Sequence, residues 1–295
     1  MIKSVEEYLN VLKKELLDSD AATVQDALAD AEEHLRAAFS NLRELQPGLS
    51  EAEALGHIIE QYGSPEETAT AYKEVERRTT LHFGHEPPAS QSALSHFFGV
   101  YSDIRAWGAL LYMLIAFVTG VIYFTWAVTG LATSFAFALF IFGLPFAVLF
   151  FLSVRGLAVL EGRIVEALLG IRMPRRPVFS RHNLKWLDRI KELVFDRHTW
   201  FSILYMLTQF VLGTAYFVLF VTVLSFSLSF IAIPILQELW GEGAIMNNGV
   251  RYIFPDWSYP LLMLGGVLLW TIFMNLARGI GQLHGRMAKS MLVTE

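Results

Sequence analysis

The chain has 295 residues, 54% of them hydrophobic, and a formal net charge of −5, a length that accommodates two domains. The charge is unevenly spread: residues 1 to 100 carry 18 acidic and 8 basic side chains, the rest 10 acidic and 15 basic. With no cysteine present, disulfide frameworks, thiolate metal sites and thiol nucleophiles are excluded.

The first 80 residues punctuate themselves with helix starts. Ser4-Val-Glu-Glu7, Ser50-Glu-Ala-Glu53 and Ser64-Pro-Glu-Glu67 are capping boxes, the last reinforced by Gly63 before it and Pro65 at the first helical position. A further helix follows Asp20, with an apolar stripe of Val24, Leu28, Ala31, Leu35, Ala38, Phe39 and Leu42 at spacings of three and four. Residues 1–80 are thus predicted to form a compact helical head. Met1 to Leu17 lacks the apolar core of a signal peptide, so the head is expected in the cytoplasm. Residues 81–94, with Gly84-His-Glu-Pro-Pro88, read as a linker. His82, His85 and His96 fall in or beside it without the spacing of a helical ligand pair, and neither a metal nor a cofactor is predicted.

Beyond the linker, Gly108 to Val154 runs 47 residues without a charge. As one helix that is about 70 Å, against a hydrocarbon core of about 30 Å. It is expected to cross twice, reversing at Val128 to Ser134, with a kink at Gly143-Leu-Pro145 in the second span. Uncharged runs of 39 residues (Thr199 to Gln237) and 21 residues (Trp257 to Ala277) supply two more crossings. The segment from Arg155 to Trp200 holds ten Lys and Arg against five acids, whereas Glu238 to Asp256 has one Arg and three acids. The positive-inside rule then puts both termini and the basic loop in the cytoplasm and the Glu238 to Asp256 connection outside. Within the loop, Leu184 to Val194 alternates apolar and basic residues, which suits an anionic leaflet or packing under the head.

Sliding the chain by 93 positions superposes Asp103, Trp107, Tyr112, Gly120 and Tyr123 on Asp196, Trp200, Tyr205, Gly213 and Tyr216. Sliding by 123 superposes Arg155, Glu161 and Arg163 on Arg278, His284 and Arg286. The fold class read from this is all-α: a small soluble bundle followed by a four-helix transmembrane domain of two parallel repeats. These occupy 101–170 and 194–292, with an outer insertion at about 236–260 inside the second. Trp107, Tyr112, Tyr123 and their counterparts are expected to pack or anchor at interfaces, with ligand contact as the alternative. Gly120 and Gly213 are expected to allow close helix approach. Arg155, Arg163, Arg278 and Arg286 are expected below the bilayer, the first of each pair touching lipid phosphate and the second a carboxylate or the other repeat. Glu161 is expected to contact His284 across the pseudo-twofold, a contact that strengthens as the imidazole protonates near pH 6.5. Simple topogenic anchoring is the alternative for the arginines. No ionisable residue is expected in the centre of a span, which argues against a coupled transporter. Phosphate loops, nucleophile elbows and helical zinc motifs are absent from the sequence, so no catalytic residue is assigned and no enzyme predicted.

Two family resemblances follow from these residues. Residues 5 to about 76, with Tyr8-Leu-Asn-Val-Leu12, Glu33-His34 and Tyr62-Gly-Ser-Pro-Glu-Glu-Thr-Ala69, resemble the HAAS-type signalling domains of bacterial membrane proteins. Residues from about 95 to 292, with D-x-x-x-W-x-x-x-L-Y opening each repeat and Arg155, Glu161 and Arg163 after the second span, resemble the sensor domain of bacterial membrane proteins and histidine kinases. His284 stands where that pattern has an acid. The resemblances imply a cytoplasmic adaptor fused to a membrane sensor in a bacterial inner membrane. Its partners would be the lipid bilayer and a cytoplasmic regulator, such as a PadR-like repressor, bound through residues 1–80. Direct nucleic-acid binding is not predicted; the small-residue faces are compatible with a homodimer. The alternative function is a membrane-organising, lipid-binding or lipid-transport component.

Overall fold

The computed structural model describes residues 2, 4–45, 51–83, 93–137, 143–174, 194–240, 245–247 and 250–293. Four helices build the head: α1 (Val5–Glu15), α2 (Ala21–Leu45), α3 (Glu51–Tyr62) and α4 (Pro65–Phe83). The Ser4 hydroxyl accepts from Glu7 N at 3.2 Å, and at Ser64 both halves of the capping box form, Glu67 N to Ser64 Oγ at 3.2 Å and Ser64 N to Glu67 Oε2 at 2.9 Å. Gly63, at φ 104°, makes the turn that an L side chain resists. Tyr8, Leu12, Leu16, Leu35, Leu55 and Ile58 fill the core. The Tyr8 hydroxyl reaches both Gly63 O and Thr68 Oγ1 at 3.0 Å, tying α1 to the turn before α4. Burial pushes its pKa up, so it stays a donor at any physiological pH. The fragment 1–83 is expected to lose helix cooperatively on heating in circular dichroism, with a stability of only a few kcal/mol for its size. Tyr8→Phe should lower that by about 1 kcal/mol; a non-cooperative wild-type melt would show that the head needs the rest of the chain.

The remaining chain forms α5 (Ala93–Phe98), a 3-10 turn (Gly99–Ser102), α6 (Ile104–Phe137), α7 (Gly143–Leu169), α8 (Arg197–Trp240), the antiparallel strands β1 (Ile245–Asn247) and β2 (Val250–Tyr252), a second 3-10 turn (Asp256–Ser258) and α9 (Tyr259–Leu292). Apart from these two short strands the described elements are all helical, in keeping with the all-α expectation. Three stretches among the described residues are long and apolar enough to cross a membrane: Ile104–Phe137, Arg197–Leu239 and Asp256–Leu292. Many of their large apolar side chains point outward, Val211 at 64% exposure and Leu228 at 60% among them, as lipid-facing surfaces do. Four spans were expected, and α7 is not among these three. Its charge-free part ends at Arg155, and Glu161, Arg163 and Glu166 follow within the same helix.

Two local expectations are corrected. Val128 to Ser134 is helical throughout, and the chain turns back only after Phe137; hydroxyls there bond to their own helix instead, Thr133 Oγ1 to Thr129 O at 2.6 Å. Pro145 lies in the first turn of α7, where its missing N–H costs nothing, so it starts the helix rather than kinking it. The amphipathic stretch at 184–193, the linker motif at 84–88 and Ser50 of the second capping box lie outside the described residues.

The relative direction of α6 and α8 is the larger correction. Phe117 stacks on Phe217 with ring centroids 4.5 Å apart, and Phe124 on Phe210 at 4.7 Å. Moving forward along one helix therefore means moving backward along the other: the pair is antiparallel. The same holds at both ends, where Ala106 packs near Phe220 and Val223 and Ala127 near Ile203. Parallel repeats require the opposite. The closest approach of the two helices lies at Gly120 and Gly213. A Cβ on Gly120 would lie 2.8 Å from Gln209 O, and one on Gly213 2.2 Å from Ala116 O. Each glycine thus seats the other helix's backbone, an arrangement that is reciprocal about a twofold axis perpendicular to both helices. As a result the start of α6 and the connection between α8 and α9 lie at one end of the pair, and the turn between α6 and α7 lies at the other. The expected topology had put the start of α6 and that connection on opposite faces.

Candidate functional site

At the centre of the α6, α7, α8 and α9 bundle, one carboxylate and one imidazole share a shell of tyrosines. Glu161 is 1% exposed and His284 2%. Glu161 Oε1 accepts from Tyr112 OH at 2.7 Å, Tyr205 OH at 3.0 Å and Gln209 Nε2 at 3.3 Å, while Oε2 accepts from Tyr123 OH at 3.0 Å. His284 Nε2 lies 2.7 Å from Tyr112 OH and 3.0 Å from Tyr205 OH, and its Nδ1 lies 3.1 Å from Tyr216 OH. Each helix contributes through its backbone register. Tyr112 and Tyr123 on α6 lie about 16 Å apart along the axis, so their rings close on Glu161 from below and above. Tyr205 and Tyr216 do the same to His284 from α8.

One proton arrangement satisfies every one of these groups except a single amide oxygen. The tyrosines at 112, 205 and 123 donate to the carboxylate, His284 Nε2–H donates to the oxygens of Tyr112 and Tyr205, and Tyr216 donates to His284 Nδ1. The exception is Gln209 Oε1, which is buried without a partner. The hydroxyls of Tyr112 and Tyr205 touch both the imidazole and the carboxylate.

Glu161 and His284, expected in direct contact, are instead linked through Tyr112 and Tyr205. Ionisable groups do lie inside the bundle, level with the apolar runs that hold the tyrosines. The expectation of spans free of such groups is corrected, because the exit helices fold back alongside α6 and α8. Gln209 was missed. Its sequence signal was an amide within a 39-residue uncharged run, at the position that a shift of 93 pairs with Ala116.

The other expected site residues form a second layer at the two flanks. Arg155 Nη2 pairs with Asp196 Oδ2 at 2.8 Å, and Arg278 Nη1 with Asp103 Oδ2 at 3.2 Å. These two arginines thus bind carboxylates from the other half of the domain, where lipid phosphate had been expected. Asp103 and Asp196 also accept from the backbone N–H two residues on, at 2.9 and 3.3 Å, and so cap the starts of α6 and α8. Trp107 Nε1 donates to Tyr101 O at 3.0 Å and Trp200 Nε1 to Val194 O at 2.7 Å; both rings are about half exposed. Arg163 lies 3.9 Å from Glu166 on its own helix, and Arg286 lines a groove beside Arg278. Among the described residues no group of three or more His, Cys, Asp or Glu is placed to hold a metal.

The family described as "Putative sensor" matches residues 112–292, which include all seven members of the central network and both exit helices. No curated protein and no solved structure matches the chain. The matched region covers more than half of the 295 residues, and the chain belongs to the Sensor family.

Proposed function

We propose that the chain is a non-enzymatic membrane sensor in which the Glu161, Tyr112, Tyr205 and His284 network responds to an envelope or lipid cue and α9 carries the response to the head. The observation that carries this reading is the head's seat on α9. Lys289 forms an ion pair with Asp20, and Ala21 packs against the cluster that holds Ala288 and Leu292. His284 and Lys289 are five residues apart on one helix, about 7.5 Å of rise, so a rearrangement at the imidazole moves the head's docking point. Membership of the Sensor family and three membrane-competent helices support the same reading. The head would pass the signal to a cytoplasmic regulatory protein, of which a PadR-like repressor is one form.

Spin labels at Glu15→Cys and Leu276→Cys in this cysteine-free chain test it. The head-to-bundle distance distribution of the full-length protein should change between bilayers with and without anionic lipid, and Glu161→Gln should abolish that change without altering membrane insertion. A distribution that responds identically in the variant, or not at all in the wild type, removes the network from the sensing role.

We further propose a multi-pass inner-membrane protein, with head and C-terminus in the cytoplasm and the two halves arising by duplication. Contacts that recur at matched positions support the duplication: Arg155 to Asp196 against Arg278 to Asp103, and Trp107 to Tyr101 against Trp200 to Val194. The positive-inside count favours parallel halves, since the basic connection cannot cross hydrocarbon; the packing of α6 on α8 favours antiparallel ones. With both termini in the cytoplasm, Ala136→Cys and Asp256→Cys should each react with an impermeant maleimide on intact cells. Labelling of Ala136→Cys alone would instead establish the antiparallel arrangement and put the C-terminus outside.

A further inference from the structure

A groove with a cavity of about 220 Å³ opens between the start of α6, the end of α7 and the middle of α9. Arg105, Arg278, Arg286 and Gln282 line it, together with Gly170 and Gly281, and among the described residues its lining contains no carboxylate. Asp103, which holds Arg278 at 3.2 Å, is an adjacent counter-charge. Gly170, at φ 69°, ends α7 without a side chain. At Gly281 a Cβ would already meet Ala109 Cβ at 2.9 Å. The two glycines thus keep the groove open.

The matched position in the other half shows that this is more than charge left over from membrane insertion. There Val293 replaces Gly170, Ala158 replaces Gly281, Val159 replaces Gln282 and His198 replaces Arg105, while Arg155 and Arg163 remain. Ala158 and Val293 are buried in the apolar cluster against which Ala21 of the head packs. One half is filled and apolar at this place; the other has polar donors around an opening.

We propose that the groove binds a phosphate group. Guanidinium forks match the oxygens of phosphate in pairs, and three converging arginines with an amide donor suit a tetrahedral anion better than a planar carboxylate. The volume exceeds that of one water, about 30 Å³, by several-fold. Leu283, 71% exposed between Gln282 and Arg286, and Leu276, 50% exposed, supply apolar surface on the same helix for a ligand with acyl chains. A lipid headgroup and a soluble phosphate both satisfy this chemistry. The proposal is independent of the sensing role, because binding is measured without any signalling output.

The test uses full-length protein in two arms. In nanodiscs of phosphatidylcholine containing phosphatidylglycerol, native mass spectrometry counts the anionic lipid retained after release. In lipid-depleted detergent, titration calorimetry follows inorganic phosphate. The wild type should bind saturably in at least one arm, and the arm identifies the source. Arg105→Gln with Arg286→Gln should weaken that binding at least about tenfold, as expected for lost charge-assisted bonds. The counterpart variant, Arg163→Gln with His198→Gln, should leave it unchanged. Both groove arginines are exposed or line an open surface, so thermal melts of the two double variants should match, which separates lost binding from lost fold. Absence of saturable binding in both arms, or equal loss in the counterpart variant, overturns the proposal.

Discussion

Gly213→Ala should destabilise the full-length protein in lipid by about 3 kcal/mol, at the upper end of what overpacking a core usually costs. The added carbon would lie 2.2 Å from Ala116 O and 2.6 Å from Ala116 C, and these are backbone atoms that no rotamer change can move aside. Relief requires α6 and α8 to separate. That would loosen the stacked pairs Phe117 with Phe217 and Phe124 with Phe210 and pull Tyr205 away from Glu161. Gly279 on α9 is the control, with nothing within 4 Å of its added Cβ. There alanine improves helix propensity by about 1 kcal/mol and should be neutral or stabilising. Chemical unfolding of the two variants beside wild type measures both effects. A Gly213→Ala protein as stable as wild type would mean that α6 and α8 do not pack at this crossing.

Glu161→Ala should be the most damaging single change to the central site, costing about 4 kcal/mol. Four donors, the hydroxyls of Tyr112, Tyr205 and Tyr123 and the Gln209 amide, lose their common acceptor in a space closed to solvent. Each buried unsatisfied group costs about 1–3 kcal/mol, less than additively because Tyr112 and Tyr205 still reach His284. Tyr123→Phe removes one donor and leaves the carboxylate three others, so about 1 kcal/mol is expected. Glu161→Gln should fall between them, since its amide nitrogen must face a tyrosine oxygen that now has to accept. Unfolding of the three variants in one lipid composition gives the order Ala, Gln, then Phe. An order in which Tyr123→Phe equals Glu161→Ala would show that the network does not converge on the carboxylate.

The head was legible from the sequence because its signals are local. Ser64, Pro65 and Glu67 lie within one turn of each other, and a capping box depends on nothing beyond that turn. The apolar runs were legible for a similar reason, since hydropathy reflects each segment's own solvent preference. The matches at 93 and 123 positions named Tyr112, Tyr205, Glu161 and His284, which the structure brings together. What remained hidden was how they converge. A tyrosine in an apolar run reads as an interfacial anchor until another helix is seen to bring a carboxylate to its hydroxyl.

The sequence by itself determined the helical head, the uncharged runs, the two glycines and the paired positions, all of which follow from composition and spacing along one chain. Only the tertiary structure decided that α6 and α8 run antiparallel, that Arg155 and Arg278 pair with Asp196 and Asp103, and that Gln209 joins the network. The physical reason is common to all three. Helix direction and the partner of a buried polar group are set by contacts between segments far apart in sequence, and a one-dimensional pattern contains no distance between segments.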